Sequence, residues 1–169
     1  AALHHPNIIM VFDAGGIEGE YFFVMEYVEG INLKHLVEER GTLPVPQLIS
    51  IFTQLCEALD YAHAKKIAHR DIKTSNVMLT RDNKVKLMDF GLAKVLGEVA
   101  ATRTSVSGTP YYMSPEQTLG EEVDHRTDIY SLGIMIYELA TGEVPFKEGD
   151  IGYHHLHTDP LLPKNIKPD

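Results

Sequence analysis

The stretch from Thr127 to Thr141, TDIYSLGIMIYELAT, is apolar on nearly every side of a helix, and it constrains the fold more than any other segment. Such a helix is stable in water only when neighbours cover most of its surface. A second helix is predicted over residues 45 to 65, because apolar residues recur there at the spacing of one buried face. The residues of that face are Leu48, Ile51, Phe52, Leu55, Leu59 and Ala62. The sequence therefore predicts a helical core.

Residues 8 to 28 have a different texture and predict two strands, IIMVFDA and EYFFVMEYV, joined by the turn GGIEGE. A short helix, LKHLVEER, is predicted from Leu33 to the glycine at position 41. Three further strands are predicted in IAH, VMLT and VKLMDF, the last two joined by the turn RDNK. Strands and helices together indicate an α+β domain.

Residues 94 to 126 show no sustained periodicity and are rich in Thr, Ser, Gly and Pro. A loop of that length is usually functional. A last short helix is predicted around DIGYHHLH. The histidines of HHLH, residues 154 to 157, could suggest a metal site, but adjacent histidines do not share a helical face, and a solvated helix is favoured.

The charge, the apolar runs and the cysteine content of the chain exclude several classes of function. Of 169 residues, 24 are acidic and 15 are Lys or Arg, so the net charge is −9, which argues against a broad basic surface for nucleic acid. No apolar run approaches the roughly 20 residues needed to span a bilayer, and we expect a cytoplasmic segment without membrane contact. The single cysteine, Cys56, cannot form an intramolecular disulfide and is predicted to fill the core.

The polar residues with the clearest chemistry lie at 69 to 76 and 89 to 91. Two carboxylates, an amide and a lysine on adjacent short turns suit a divalent cation and a phosphorylated ligand. Asp89 and Asn76 offer the oxygen ligands that magnesium prefers. Lys73 could neutralise a phosphate, which leaves Asp71 to accept a proton from an attacking hydroxyl.

Three motifs in this order carry a family resemblance: HRDIKTSN at 69–76, DFG at 89–91 and SPE at 114–116. Together they resemble the catalytic loop, metal-binding triplet and A-P-E motif of the eukaryotic-type protein kinases, most closely the bacterial serine/threonine members. HPNI and DIYSLG extend the resemblance over essentially the whole chain. It implies a protein kinase-like α+β fold, with a remnant of the small-lobe antiparallel sheet at 1–28 and a mostly helical large lobe at 29–169, truncated before its last helices.

The resemblance implies transfer of the γ-phosphate of ATP to Ser or Thr hydroxyls of protein substrates. Asp71 corresponds to the catalytic base, and Asn76 and Asp89 to the Mg²⁺ ligands. Lys73 corresponds to the lysine that contacts the transferred phosphate, as in serine/threonine kinases. Thr109, in GTPYY, resembles the threonine that contacts Asp71 and Lys73.

The second strand and the residues after it resemble the kinase hinge. Met25 falls at the gatekeeper position, and the backbones of Glu26 and Val28 would pair with the adenine edge. Met78 resembles the apolar residue below the adenine ring. Without the family resemblance, Met25 and Met78 would be interpreted as ordinary residues of the hydrophobic core.

The long loop resembles an activation loop that is regulated by phosphorylation. Arg70 corresponds to the arginine that binds a phosphorylated loop, with Lys94 as a second cation. Thr102 and Thr104 are the leading candidate phosphosites, and Ser105 and Ser107 follow them. In such a loop, self-phosphorylation could supply the phosphate at these residues.

Other family positions carry structural roles. His69 resembles the histidine packed with Phe90 beneath DFG, and Asp128 resembles the buried carboxylate that holds the catalytic-loop backbone. Glu116 resembles the glutamate that pairs with an arginine from a later helix. We do not find that arginine in these residues.

Several family features are not found between Ala1 and Asp169: the glycine-rich loop, the V-A-I-K-type lysine and its glutamate partner. We therefore expect an internal piece of a longer kinase, with little activity alone and with exposed apolar surface. The alternative is a pseudokinase or scaffold that binds partners without transferring phosphate. A small-molecule phosphotransferase is disfavoured by GTPYYMSPEQ, which resembles a platform for protein substrates.

Overall fold

The computed structural model describes residues 3–17, 20–90 and 110–167. Along these residues five strands, six α-helices and one 3₁₀ turn follow one another. The strands are β1 (Val11–Ile17), β2 (Glu20–Met25), β3 (Gly30–Asn32), β4 (Val77–Thr80) and β5 (Val85–Leu87). The helices are α1 (Leu33–Arg40), α2 (Val45–Ala64), α3 (Pro115–Leu119), α4 (Arg126–Thr141), α5 (Ile151–His157) and α6 (Pro163–Ile166), and the 3₁₀ turn is Thr74–Asn76.

Helices α2 and α4 pack together and form the centre of the core. Leu55 and Leu59 of α2 and Met135 and Leu139 of α4 are at most 2% exposed. All six apolar residues of the predicted α2 face are buried, which confirms that prediction. None of the helices in the described ranges is long and apolar enough to cross a membrane.

The far side of α4 departs from the expectation of a helix covered on most sides. Ile129 is 54% exposed and Ile136 is 43% exposed. Ile136 lines an open apolar groove of about 810 Å³ between α2 and α4, together with Ile49 and Cys56 of α2. Cys56 is exposed there, so the prediction that it fills the core is wrong. It follows Leu55 by one residue and is therefore turned about 100° away from the buried face.

The predicted hairpin is confirmed, but its turn is shorter than GGIEGE. Gly15 and Gly16 lie inside β1, where they pair with Phe22 and with the backbone of residue 21 in β2. Glycine suits position 15 because an added Cβ would come within 2.6 Å of the Phe22 ring. The absence of a side chain thus allows an aromatic ring to lie across the neighbouring strand.

A second sheet has the antiparallel order β3-β4-β5. VMLT is a strand as predicted, whereas VKLMDF is extended only as far as Leu87 and IAH does not form a strand. The amino-terminal segment joins this sheet, since Ile8 bridges to Leu87. The buried Asn7 side chain donates to the Val85 carbonyl and to Oε1 of Gln54, each at 2.9 Å. The HPNI sequence therefore fastens the chain start to β5.

Candidate active site

The buried carboxylate of Asp128, in the first turn of α4, holds the backbone of the 69–71 segment. Asp128 is 0% exposed. Its Oδ2 accepts the N–H of His69 at 2.8 Å, and its Oδ1 accepts the N–H of Arg70 at 2.7 Å. Nε2 of His63, on α2, lies 2.7 Å from the same Oδ2. One side chain thus joins the two central helices to the loop that carries Asp71.

Two residues beside the site adopt left-handed backbone conformations. Arg70 has a φ of 68° and Asp89 a φ of 64°. Such conformations cost free energy in residues other than glycine, on the order of 1 kcal/mol or more each. The Asp128 bond to the Arg70 N–H helps to offset the cost at the first position. Next to Asp89, the N–H of the preceding residue Met88 donates to the backbone carbonyl of Asn76 at 2.9 Å and helps to hold this conformation.

The ring of His69 is buried and links the two loops of the site. Its Nε2 lies 2.6 Å from the Met88 carbonyl oxygen, and its Nδ1 accepts the N–H of Asp71 at 3.2 Å. Because a carbonyl can only accept, these contacts define a neutral ring with its proton on Nε2. Burial lowers the pKa of His69, although the hydrogen bond to Met88 opposes this shift. Phe90 packs edge-on against the ring, with centroids 4.7 Å apart.

Asp71, Lys73 and the buried Asn76 form a hydrogen-bonded group that reaches the surface at Asp71. Nζ of Lys73 donates to Oδ2 of Asp71 at 2.7 Å. The side-chain amide of Asn76 donates to the same Oδ2 at 3.0 Å and to the Asp71 carbonyl at 2.9 Å. The Asp71 carboxylate is therefore oriented by two donors on one oxygen while the side chain stays 60% exposed.

Asn76 and Asp89 lie at the adjacent ends of β4 and β5. Val77 pairs with Leu87 in the sheet, and the Met88 N–H donates to the Asn76 carbonyl. The side-chain amide nitrogen of Asn76 donates to Asp71. The side-chain oxygen Oδ1 of Asn76 therefore remains as a potential ligand. An amide oxygen beside a carboxylate is a donor set that fits Mg²⁺ when phosphate oxygens complete the coordination.

The predicted hinge is fixed through Glu26. The Glu26 N–H donates to the Met10 carbonyl at 2.9 Å, and the Met10 N–H donates back to Oε1 of Glu26 at 2.9 Å. Nζ of Lys86, on β5, lies 2.7 Å from the same Oε1. Burial would raise the pKa of Glu26, but the hydrogen bonds from Lys86 and Met10 outweigh it and hold this pKa below its usual value.

The other three hinge candidates are Met25, Val28 and Met78. Met78 is the direct strand neighbour of Lys86, and Met25 directly precedes Glu26. Both methionines are half-buried, as is Val28. In the described part of the chain, neither the N–H nor the carbonyl of Val28 has a hydrogen-bonding partner. Those backbone groups are available to a ligand.

A second polar network connects the catalytic loop to the segment that begins at Pro110. The hydroxyl of Thr74 lies 3.0 Å from that of Tyr112, and the Tyr112 hydroxyl donates to Oε2 of Glu138 on α4. Burial, together with the neighbouring Glu138 charge, raises the pKa of Tyr112, and burial also raises the pKa of Glu138. Tyr112 therefore stays protonated and can serve as the donor.

The SPE sequence forms the start of helix α3. Ser114 caps this helix in a reciprocal arrangement with Gln117, and its hydroxyl also bonds that of the buried Thr127. The Gln117 amide reaches the Arg70 carbonyl at 2.9 Å, which joins α3 to the catalytic loop. Glu116 makes no ion pair within the residues described.

The regulatory candidates are only partly covered by the structure. Arg70 is exposed, and its Nη2 lies 3.4 Å from the Val123 carbonyl. The other regulatory candidates lie outside the described residues: Lys94, Thr102, Thr104, Ser105 and Ser107. Thr109, the predicted contact of Asp71 and Lys73, also lies outside them. The structure thus brings together Asp71, Lys73, Asn76 and the segment around Asp89, and separately places Glu26 and Met78 beside Lys86.

Sequence reasoning missed three residues that support the site: His63, Lys86 and Gln117. Each acts through a long-range hydrogen bond, and local patterns carry little signal for such contacts. For Lys86 the only signal is a charge on a strand between two buried residues.

Comparison with known proteins identifies the class. The family model "Protein kinase domain" matches residues 1–166, so the chain belongs to the protein kinase domain family. It is similar to the serine/threonine-protein kinase PknB of Mycobacterium leprae, with 43% identity over 96% of this chain and 28% of that protein. PknB of Mycolicibacterium smegmatis is 42% identical over 100% of this chain and 29% of its own length. A probable serine/threonine-protein kinase of Clostridium perfringens is 43% identical over 98% and 25%. The chain thus spans less than a third of the length of these relatives.

The Glu26–Lys86 pair yields a prediction about stability and pH. Lys86→Met should lower the free energy of unfolding by about 1 to 2 kcal/mol at pH 7, because a charge-assisted hydrogen bond to a partly buried carboxylate is lost. The Glu26 pKa is depressed in the folded protein, so this stabilisation is complete above about pH 4.5 and is lost as the pH falls through the folded value. Urea unfolding at pH 7 and at pH 3.5 measures both effects.

Lys84→Met is the matched control, because Lys84 pairs with Asp82 at a site where both side chains are more than half exposed. It should leave the free energy of unfolding unchanged within the error of the measurement at either pH, because water screens an exposed ion pair. Equal losses for the two variants, or a loss for Lys86→Met that is no smaller at pH 3.5 than at pH 7, would contradict the prediction.

Proposed function

We propose that this chain is the catalytic-lobe segment of a serine/threonine protein kinase, which transfers the γ-phosphate of ATP to Ser or Thr hydroxyls of proteins. The observation that carries the proposal is the Asp71 carboxylate, oriented by Lys73 and Asn76 at 2.7 and 3.0 Å and left 60% exposed beside the Asp89 loop. Membership in the protein kinase domain family supports this function. The names of the similar bacterial proteins support the choice of Ser and Thr.

In this reaction Asp71 orients the substrate hydroxyl and accepts its proton as the oxygen forms its bond to the γ-phosphorus. The bond between that phosphorus and the β–γ bridging oxygen breaks, and ADP leaves with the electron pair. Lys73 places a positive charge beside the transferred phosphoryl group. The donors on Oδ2 leave Oδ1 of Asp71 as the oxygen that faces the hydroxyl.

Asn76 and Asp89 would hold Mg²⁺ through the amide oxygen and the carboxylate. Bound there, the ion supplies charge neutralisation for the phosphate oxygens. The left-handed backbone at Asp89 and the bond from Met88 to Asn76 set the two ligands at one edge of the sheet. The protein's own contribution is therefore fixed orientation rather than a reactive group.

The adenine base would lie between Met25 and Met78, with the backbones of Glu26 and Val28 as its partners. The Glu26 N–H is already bonded to Met10, so its carbonyl is the group that remains for the base. The free N–H and carbonyl of Val28 complete a donor and acceptor pattern suited to a purine edge.

The organisation of the chain follows from the same proposal. Residues 1–28 would be part of a small lobe and residues 29–169 most of a large lobe. Phosphorylation at Thr102 or Thr104 would order the intervening loop through Arg70 and Lys94. Because the glycine-rich loop and strand lysine are not found among these residues, the 169 residues alone should transfer phosphate slowly.

The proposal is tested by following transfer of labelled phosphate from ATP to a generic protein substrate by the full-length protein. Asp71→Asn should lower the rate by about 10² to 10⁴, the range for loss of a positioned general base. Asp82→Asn, a change of the same kind at an exposed turn carboxylate, should leave the rate within twofold. Residues 1–169 alone and phosphatase-treated protein complete the series, and both should be slower than the untreated full-length protein.

A full-length protein that binds partners but transfers no phosphate would establish the pseudokinase alternative. A rate that is equal in wild type and Asp71→Asn would remove Asp71 from the reaction. Full activity of residues 1–169 alone would contradict the expected need for the missing motifs.

A further inference from the structure

His155, in the short helix α5, is buried among aromatic side chains and makes two directed hydrogen bonds. It is 6% exposed. Its Nε2 lies 3.0 Å from the carbonyl oxygen of Pro110, and its Nδ1 lies 2.7 Å from the hydroxyl of Tyr130 on α4. Phe146 packs edge-on against the ring, with centroids 5.2 Å apart. The proposed reaction uses none of these groups.

The two contacts define the protonation of the ring. The Pro110 carbonyl can only accept, so Nε2 carries the proton and Nδ1 accepts from Tyr130. Burial lowers the pKa of His155, which favours this neutral form. Tyr130 therefore sets the tautomer that lets His155 donate to Pro110.

The partner of this bond lies at the start of the Pro110–Ser114 segment. The Pro110 carbonyl also accepts the N–H of Met113 at 3.2 Å, which closes a turn. The far end of the segment is held elsewhere, by Tyr112 against Thr74 and Glu138 and by Ser114 against Thr127. His155 is thus the contact through which α5 holds the near end, on the side of Thr109.

We propose that His155 is a positioning residue for the protein substrate, and that it acts by fixing the Pro110 turn through its Nε2–H. This inference rests on the proposed function, together with the resemblance of GTPYYMSPEQ to a platform for protein substrates. Since no hydrogen bond of His155 or Pro110 in the described residues reaches the predicted hinge residues, loss of the contact affects binding of the protein substrate and leaves ATP binding unchanged. Helix α5 therefore supports binding of the protein substrate, although it does not touch the reacting atoms.

The test measures KM for a protein substrate and KM for ATP in the full-length protein. His155→Leu should raise the KM for the protein substrate about tenfold, the value of one buried hydrogen bond lost while the Tyr130 hydroxyl is left without its partner. The KM for ATP should stay within twofold. His155→Gln, whose amide can donate from the position of Nε2, should restore most of the affinity for the protein substrate.

His157→Leu is the matched control, because His157 lies on the same helix with its side chain exposed. It should change neither KM. Tyr130→Phe removes the hydroxyl that sets the tautomer and should raise the KM for the protein substrate about threefold. It carries the test by itself if His155→Leu does not fold.

The outcomes separate this inference from the proposed function. An inactive wild-type protein would overturn both. An active wild type in which neither His155→Leu nor Tyr130→Phe raises the KM for the protein substrate would overturn the role of His155 alone. A rise of both KM values together would also overturn that role, because it indicates a general loss of structure.

Discussion

The interaction on which the rest of the candidate site depends is the burial of the Asp128 carboxylate against the backbone of the 69–71 segment, the start of the proposed catalytic loop. An ionised group that is fully buried is costly unless hydrogen bonds satisfy it, and here two backbone N–H groups and His63 do so. In return, those bonds hold Arg70 in a strained left-handed conformation and fix the direction in which the chain enters Asp71. Beyond that point, Lys73 and Asn76 contact Asp71 within five residues of sequence, and Met88 is held by its bonds to Asn76 and His69.

The parts that the sequence could predict are those governed by local patterns. The apolar face of α2 and the bounds of α4 follow from helical spacing, and the hairpin follows from β-branched and aromatic runs. The family resemblance at HRDIKTSN and DFG could point to the residues of the candidate site, because the motif is contiguous and short. The contacts that the structure adds among Asp71, Lys73 and Asn76 span only two to five residues of sequence.

The parts that the sequence could not predict depend on residues distant along the chain. The sequence predicts Cys56 inside the core, yet it faces a groove whose position is set by the packing angle of α2 on α4. The HHLH sequence favours a solvated helix, whereas His155 is buried and bonded to a residue 45 positions away. Lys86 and Glu26 are 60 positions apart. In each case the partner is chosen by the tertiary structure, and no local period indicates it.

The central claim is that the Asp128 carboxylate holds the catalytic loop, and amide hydrogen exchange of the peptide containing residues 68–71 tests it most directly. In the full-length protein, Asp128→Ala should remove the protection of the His69 and Arg70 amides and reduce phosphate transfer at least ~100-fold, while the peptides of α2 remain protected. Unchanged protection of His69 and Arg70 in Asp128→Ala, together with unchanged phosphate transfer, would contradict the account.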